Sequence, residues 1–368
     1  MSKTNATMRL TLNHKEAMLA IKVLGKWRTF VIKSEPGVGK TSMLDAVVDS
    51  LNADAPDEYE GIYVDCPAKD IPDIGMYVPD VENGILKYLS SELFRLGNGK
   101  KKVIMLDEFM KSNKLLQVIW TRLMLERYVG DVKLPDGSIV FATSNNESDG
   151  VGDTMLAHAG NRVTIIELAK PTASEWVANF AAKRGISKVI QTWALMEPRA
   201  FRSYRDGGQD DNPYIFNPAK KGVMSFVSPR SLAGCDPIVK NRHILGDNVT
   251  RTALAGTIGR SAADSMAAFL SLESEVIYTK DIIADPENAP VPSKVAALCM
   301  TIVNALDDIK VQDDLSKFMT WLARAKSEEM ESVFFSLVLQ DERTTRIAQR
   351  NAKVAQWGAR NFDLMVSI

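Results

Sequence analysis

Lys40 and Thr41 close an eight-residue stretch, Ser34–Thr41, that reads S-E-P-G-V-G-K-T between an apolar run and a helical pattern. A lysine here is a point charge for outer phosphates, and the adjacent hydroxyl is a hard oxygen ligand for Mg²⁺. Gly37 and Gly39 allow the backbone to turn successive N–H groups inward at an anion. The loop residues Pro36, Gly37, Val38, Gly39, Lys40, Thr41 and Ser42 are therefore expected to cradle the phosphates of a nucleotide. Ser34 stands where the pattern G-x-x-x-x-G-K-S/T has its first glycine, a departure from the full motif.

A second chemical pair follows at Asp107 and Glu108, after the apolar run Val103, Ile104, Met105 and Leu106. Carboxylates at the end of a buried strand are costly to place unless they are used. Beside a phosphate loop, Asp107 would orient the Mg²⁺ shell and Glu108 would polarise the attacking water.

These residues need a scaffold, and the first half of the chain supplies one by alternating short strands with helices, the pattern of a parallel sheet covered on both faces. The expected strands are Thr29–Ile32, Gly61–Asp65, Val103–Leu106, Ile139–Ala142 and Val163–Leu168. After the phosphate loop, Met43, Leu44, Val47, Val48 and Leu51 recur at helical spacing, so the helix N-terminus faces the phosphates. Leu116, Ile119, Trp120 and Leu123 mark another helix packed on the sheet. The pairs Gly130-Asp131 and Asp136-Gly137 punctuate a hairpin between that helix and Ile139. From Pro171 onward the pattern turns helical, most clearly at Ala173–Lys183, Thr252–Leu272, Val295–Leu306 and Met330–Leu339. In Val295–Leu306 the residues Val295, Leu298, Ile302 and Leu306 make an expected core face. The polar stretch Asp206–Gly222, with Asp206, Asp210 and Asp211, reads as a solvated loop rather than a cation site.

Composition narrows the functional class. The 368 residues carry 45 Lys and Arg against 46 Asp and Glu, a net charge of −1, so no global basic field draws nucleic acid. No apolar run approaches a membrane span, and no secretory segment opens the chain, so a cytoplasmic protein is expected. Cys66, Cys235 and Cys299 lie far apart and read as buried thiols, and His14, His158 and His243 show no metal-like spacing.

Four segments in order, E-P-G-V-G-K-T, M-L-D-E, M-L-E-R-Y-V-G-D-V-K-L-P-D-G-S-I-V-F-A-T-S-N and S-P-R-S-L, resemble the AAA+ ATPases, and within them the MoxR and dynein-related group with its CbbQ-like activases. The resemblance covers roughly residues 15 to 235. It implies an AAA+ P-loop αβα sandwich over 1–170, with a pre-sensor-1 hairpin near 127–138, and a helical lid domain with C-terminal helices over 171–368.

Further roles are implied by the resemblance alone. Asn145, with Asn146 as its neighbouring alternative, is similar to sensor 1, which positions the attacking water. Arg162 looks like an arginine finger that completes a neighbouring subunit's site, and Arg127 is the second candidate. Arg230, in S-P-R-S-L, resembles sensor 2. The stretch around Tyr77 looks like the region before the group's helix-2 insert, and it would face a ring channel together with the hairpin Tyr128–Asp136. The function implied is Mg²⁺-dependent ATP hydrolysis by a homo-oligomeric ring, a hexamer by resemblance, that remodels a client protein. A von Willebrand A-type adaptor, where used, would be a separate chain. Two alternatives stay open: a DNA-associated NTPase of the restriction, replication or helicase-loading kind, and a ring that binds nucleotide only to assemble. ATP and GTP are not distinguished by the residues.

Overall fold

The computed structural model describes residues 10–146, 161–220 and 222–361. The chain divides into two compact units, Met1–Lys170 and Pro171–Ile368.

The first unit is built on six strands: β1 (Thr11–Leu12), β2 (Phe30–Ser34), β3 (Tyr59–Asp65), β6 (Lys101–Asp107), β9 (Ile139–Asn145) and β10 (Thr164–Leu168), in spatial order β1-β10-β2-β9-β6-β3. Every pairing in this sheet is parallel. All five expected strands are present, with no end moved by more than three residues, and the architecture is the expected P-loop α/β fold followed by a helical region. Two hairpins lie off the sheet, β4–β5 (Gly75–Asp80, Ile85–Ser90) and β7–β8 (Tyr128–Val129, Val132–Lys133). The second is the expected one. The first was not anticipated in the sequence.

Because side chains alternate along a strand, each central strand feeds two cores. Phe30, Ile32, Val103, Met105, Ile139 and Phe141 pack with Ala17 and Ile21 of α1 (His14–Leu24) and with Met43, Leu44, Val47 and Leu51 of α2 (Ser42–Asp54). Their neighbours Val31, Ile104, Leu106, Val140 and Ala142 point the other way. They meet Leu116, Trp120 and Leu123 of a helix at Lys114–Glu126, capped by Asn113, whose Oδ1 accepts from the Leu116 N–H at 2.9 Å. Burial on both faces explains why these strands read as unbroken apolar runs. Parallel pairing also brings the carboxyl ends of β2, β6 and β9 to one edge. There the phosphate loop leaves β2, Asp107 closes β6 and Asn145 closes β9, and in open α/β sheets that edge is where ligands bind.

The second unit is helical around one core that includes Trp193, Leu254, Ile302, Phe318, Trp321 and Phe334. Three expectations change here. The helix expected at Ala173–Lys183 is one α-turn, Ala173–Trp176, continued by a wider π-type turn at Val177–Ala181. The expected Thr252–Leu272 is split at Gly259 into Arg242–Ile258 and Arg260–Leu270. Val295 opens its helix, and because helical side chains lean toward the N-terminus it projects past the core and is 47% exposed, while Leu298 and Ile302 are buried. Among the described residues no helix is long and apolar enough to cross a membrane.

Candidate active site

The loop after β2 has the backbone its glycines permit, with φ of 75° at Gly37 and 101° at Gly39, values that strain any residue with a Cβ. Ser42 Oγ donates to the Gly39 carbonyl at 2.7 Å, which ties the loop to the first turn of α2. The Ser42 hydroxyl is thus committed to the loop, whereas Thr41 is exposed beside it. At the position of the missing first glycine, Ser34 is buried and its hydroxyl donates to the Glu35 carbonyl at 3.0 Å. Lys40 is only 6% exposed. Its ammonium donates to Asn145 Oδ1 at 2.7 Å.

From Asn145 the contacts run on to the acidic pair. Asn145 Nδ2 donates to both oxygens of Glu108, at 2.9 Å and 3.2 Å. Glu108 Oε2 also meets the Lys111 ammonium at 2.7 Å. The backbone of Glu108 is left-handed, with φ 52° and ψ 34°. A non-glycine residue there costs of order 1–2 kcal/mol, and such strain gathers at functional sites. The Thr143 hydroxyl accepts from the Glu108 N–H at 3.4 Å and donates to Asp107 Oδ1. Tyr63, from the neighbouring β3, donates to Asp107 Oδ2 at 2.8 Å. Each hydroxyl leaves lone pairs free on the carboxylate oxygen it meets. The carboxylate of Asp107 and the hydroxyl of Thr41 are hard oxygen donors of the kind Mg²⁺ takes, few in number as when substrate phosphates complete the shell. Among the described residues no group of three or more His, Cys, Asp or Glu could hold a metal by itself.

Lys40, Asp107, Glu108 and Asn145 are therefore brought together. Thr143, Tyr63 and Lys111, which the sequence analysis did not single out, complete the cluster. Thr143 could have been found from the register that sets Leu106 against Ala142. Asn146 is buried and its N–H donates to the Ser34 carbonyl at 3.2 Å, so Asn145 is the one of the two that faces Glu108.

Arg162 and Arg127 lie elsewhere in the first unit. Arg162 is exposed in the turn before β10, and among the described residues its guanidinium has no partner. Thr164 pairs with Phe30 at the amino end of the sheet. Arg162 is thus roughly 20 Å along the strands from the phosphate loop of its own chain, six residues at about 3.3 Å each. Arg127 points inward. Its guanidinium donates to Thr29 Oγ1 at 2.8 Å, to the Gly25 carbonyl at 3.1 Å and to the Met124 carbonyl, and burial pulls its pKa down to about 10. It is thereby taken up within its own subunit. Arg230 is exposed in the first turn of Pro229–Gly234 in the second unit. All three cysteines are free and buried, and burial pushes the Cys235 and Cys299 thiols to about 12.

The two hairpins meet each other. Tyr77 donates to Asp131 Oδ2 at 2.8 Å and sits edge-on to Tyr88, ring centres 5.2 Å apart, while Tyr88 packs over Gly130 in the space a Cβ would need. A cavity of about 440 Å³ lies beside them, lined by Ile74, Met76, Tyr88, Val118 and Tyr128. On β4–β5 and its turn, Met76, Tyr77, Val81, Ile85, Leu86 and Leu89 are exposed.

No family model and no curated protein matches the chain. Solved structures similar to it include a RuvB variant from Thermotoga maritima, at 15% identity and TM-score 0.37 over 84% of this chain and 85% of that one. Another is the ORC2 protein of Aeropyrum pernix in ADPNP–ADP complexes, at 11% identity and TM-score 0.37 over 74% of this chain and 72% of that one. PCH-2 from C. elegans aligns at 13% identity and TM-score 0.31 over 70% and 67%. These neighbours are AAA+ ATPases. The superpositions are loose.

Proposed function

We propose that the chain is an AAA+ ATPase of the MoxR-like, dynein-related group, working in the cytoplasm as a hexameric ring that remodels a client protein. The observation that carries the ATPase assignment is the unbroken contact path from Lys40 through Asn145 to Glu108, with Asp107 beside it on Thr143. Lys40 and the loop N–H groups hold the phosphates, and Lys40 exchanges its Asn145 contact for a phosphate oxygen. Mg²⁺, with Thr41 and Asp107 as donors, would neutralise charge on the phosphate oxygens. Asn145 and Glu108 position a water, whose oxygen bonds to the γ-phosphorus as the bond to the bridging oxygen breaks. Glu108 accepts the water's proton and ADP leaves.

Arg162 supports the ring. It resembles an arginine finger for a neighbouring subunit's phosphates, a reading with which its distance from its own loop agrees, and such a contact is worth about 10³–10⁵ in rate. Arg230 is assigned to sense nucleotide as sensor 2. The exposed apolar side chains of the β4–β5 hairpin support a protein client over nucleic acid, since phosphate backbones are met by basic surfaces. Any von Willebrand A-type adaptor belongs to another polypeptide.

Titration with labelled ATP tests the assignment at its base. Lys40→Ala removes the loop's cation, and ATP binding is expected to be lost or severely weakened, with thermal unfolding showing a folded chain. Unchanged affinity would remove the phosphate-loop assignment.

A further inference from the structure

Glu108 is held by more than the path to Lys40. Among the described residues its Oε1 takes only the Asn145 amide, but its Oε2 takes both that amide and the Lys111 ammonium at 2.7 Å. Backbone geometry brings Lys111 there. Phe109–Lys111 form one 3₁₀ turn directly after Glu108. The turn carries the third residue after Glu108 back beside it, and the two side chains meet as an i,i+3 pair.

The turn is itself anchored. Gln117, 4% exposed, donates through Nε2 to the Met110 carbonyl and to the Ser112 carbonyl, both at 3.0 Å, and so brackets Lys111 on either side. The Lys111 N–H closes the turn on the Glu108 carbonyl at 2.8 Å. An ordinary surface ion pair joins two long side chains on a mobile backbone and contributes little. Here both backbones are fixed, one in a left-handed conformation and the other by a buried amide, and the side chains are only 30% and 23% exposed.

Resting on the ATPase reading above, we propose that Lys111 is a positioning residue for hydrolysis. It fixes Oε2 of Glu108 and offsets that carboxylate's charge beside the triphosphate. When Lys40 leaves Asn145 for a phosphate oxygen, Asn145 is free to reorient, and Lys111 is then the contact that keeps the base in place with Oε1 turned to the water. Lys111 touches neither nucleotide nor water. It acts through Glu108.

The test compares ATP turnover by the full chain, its Lys111→Met and Lys111→Arg variants, and the same Lys111→Met change in a Glu108→Gln background. Lys111→Met is expected to lower kcat by roughly 10-fold or more, part of the about 10²–10⁴ a general base contributes, with KM for ATP unchanged. Lys111→Arg, which keeps charge and reach, should recover most of the rate. In the Glu108→Gln background, single-turnover rates should show no additional loss. Wild-type kcat in Lys111→Met, equal losses in Met and Arg variants, or a full further loss on top of Glu108→Gln would each overturn the proposal while leaving the ATPase reading intact. A wild-type chain without turnover, or a Glu108→Gln chain as fast as wild type, would overturn that reading and the proposal with it.

Discussion

Arg127 shows how one side chain's surroundings can decide between two roles. It donates to the Gly25 carbonyl and to Thr29 Oγ1 across the sheet's amino end, from a left-handed backbone with φ 63°. Arg127→Ala strips those acceptors of their partner, which costs about 1–3 kcal/mol when the acceptor is buried. Chemical denaturation is expected to show that loss while ATP turnover per folded molecule stays near wild type. Unchanged stability with lost turnover would instead mark Arg127 as a finger. The same contrast explains what the sequence displayed at the site. Lys40, Thr41, Asp107 and Glu108 sit in short local motifs, where chain neighbours alone imply the chemistry. Thr143 and Tyr63 acquire their places beside Asp107 only through strand register, and Lys111 through the 3₁₀ turn that follows Glu108.

Strands β3 and β6 carry a charged lock at their amino ends. Glu60 faces Lys102 in the register, and the Lys102 ammonium, wholly buried, donates to Glu60 Oε2 at 2.7 Å, with Arg95 on Oε1 at 2.7 Å. The hydrogen bond from Lys102, then that from Arg95, holds the Glu60 carboxyl at about 2 rather than its ordinary 4.5. A depressed acid pKa contributes stability above the ordinary value and loses it as pH falls through the folded one. Stability is therefore expected to drop between pH 4.5 and about 2. Glu60→Gln should flatten that limb in acid-unfolding curves, and it should weaken the fold near neutral pH by leaving Lys102 buried without an anion. An acid limb as steep as in wild type would show that other carboxylates govern it. The sheet was legible because burial on both faces makes its strands apolar runs. The β4–β5 hairpin was not, because its apolar residues stay exposed, its first strand contains Pro79, and it is held by Tyr88 on Gly130 and Tyr77 on Asp131, distant in sequence.

For the whole molecule, the expectation is that no chain completes its own site. Arg162→Ala subunits retain a phosphate loop, and Lys40→Ala subunits retain the finger. After subunit exchange, some interfaces pair an intact Lys40 with an intact Arg162, so turnover should rise above that of either variant alone. Mixed rings confirmed by mass and still inactive would remove the trans role of Arg162. Beneath all of this lies the claim that Glu108 is the base of an ATP hydrolase, and one pair of readings on Glu108→Gln tests it most directly. The amide keeps the carboxylate's shape but cannot accept the water's proton. ATP affinity should stay near wild type while steady-state hydrolysis falls by about 10²–10⁴. Hydrolysis at the wild-type rate would contradict the account.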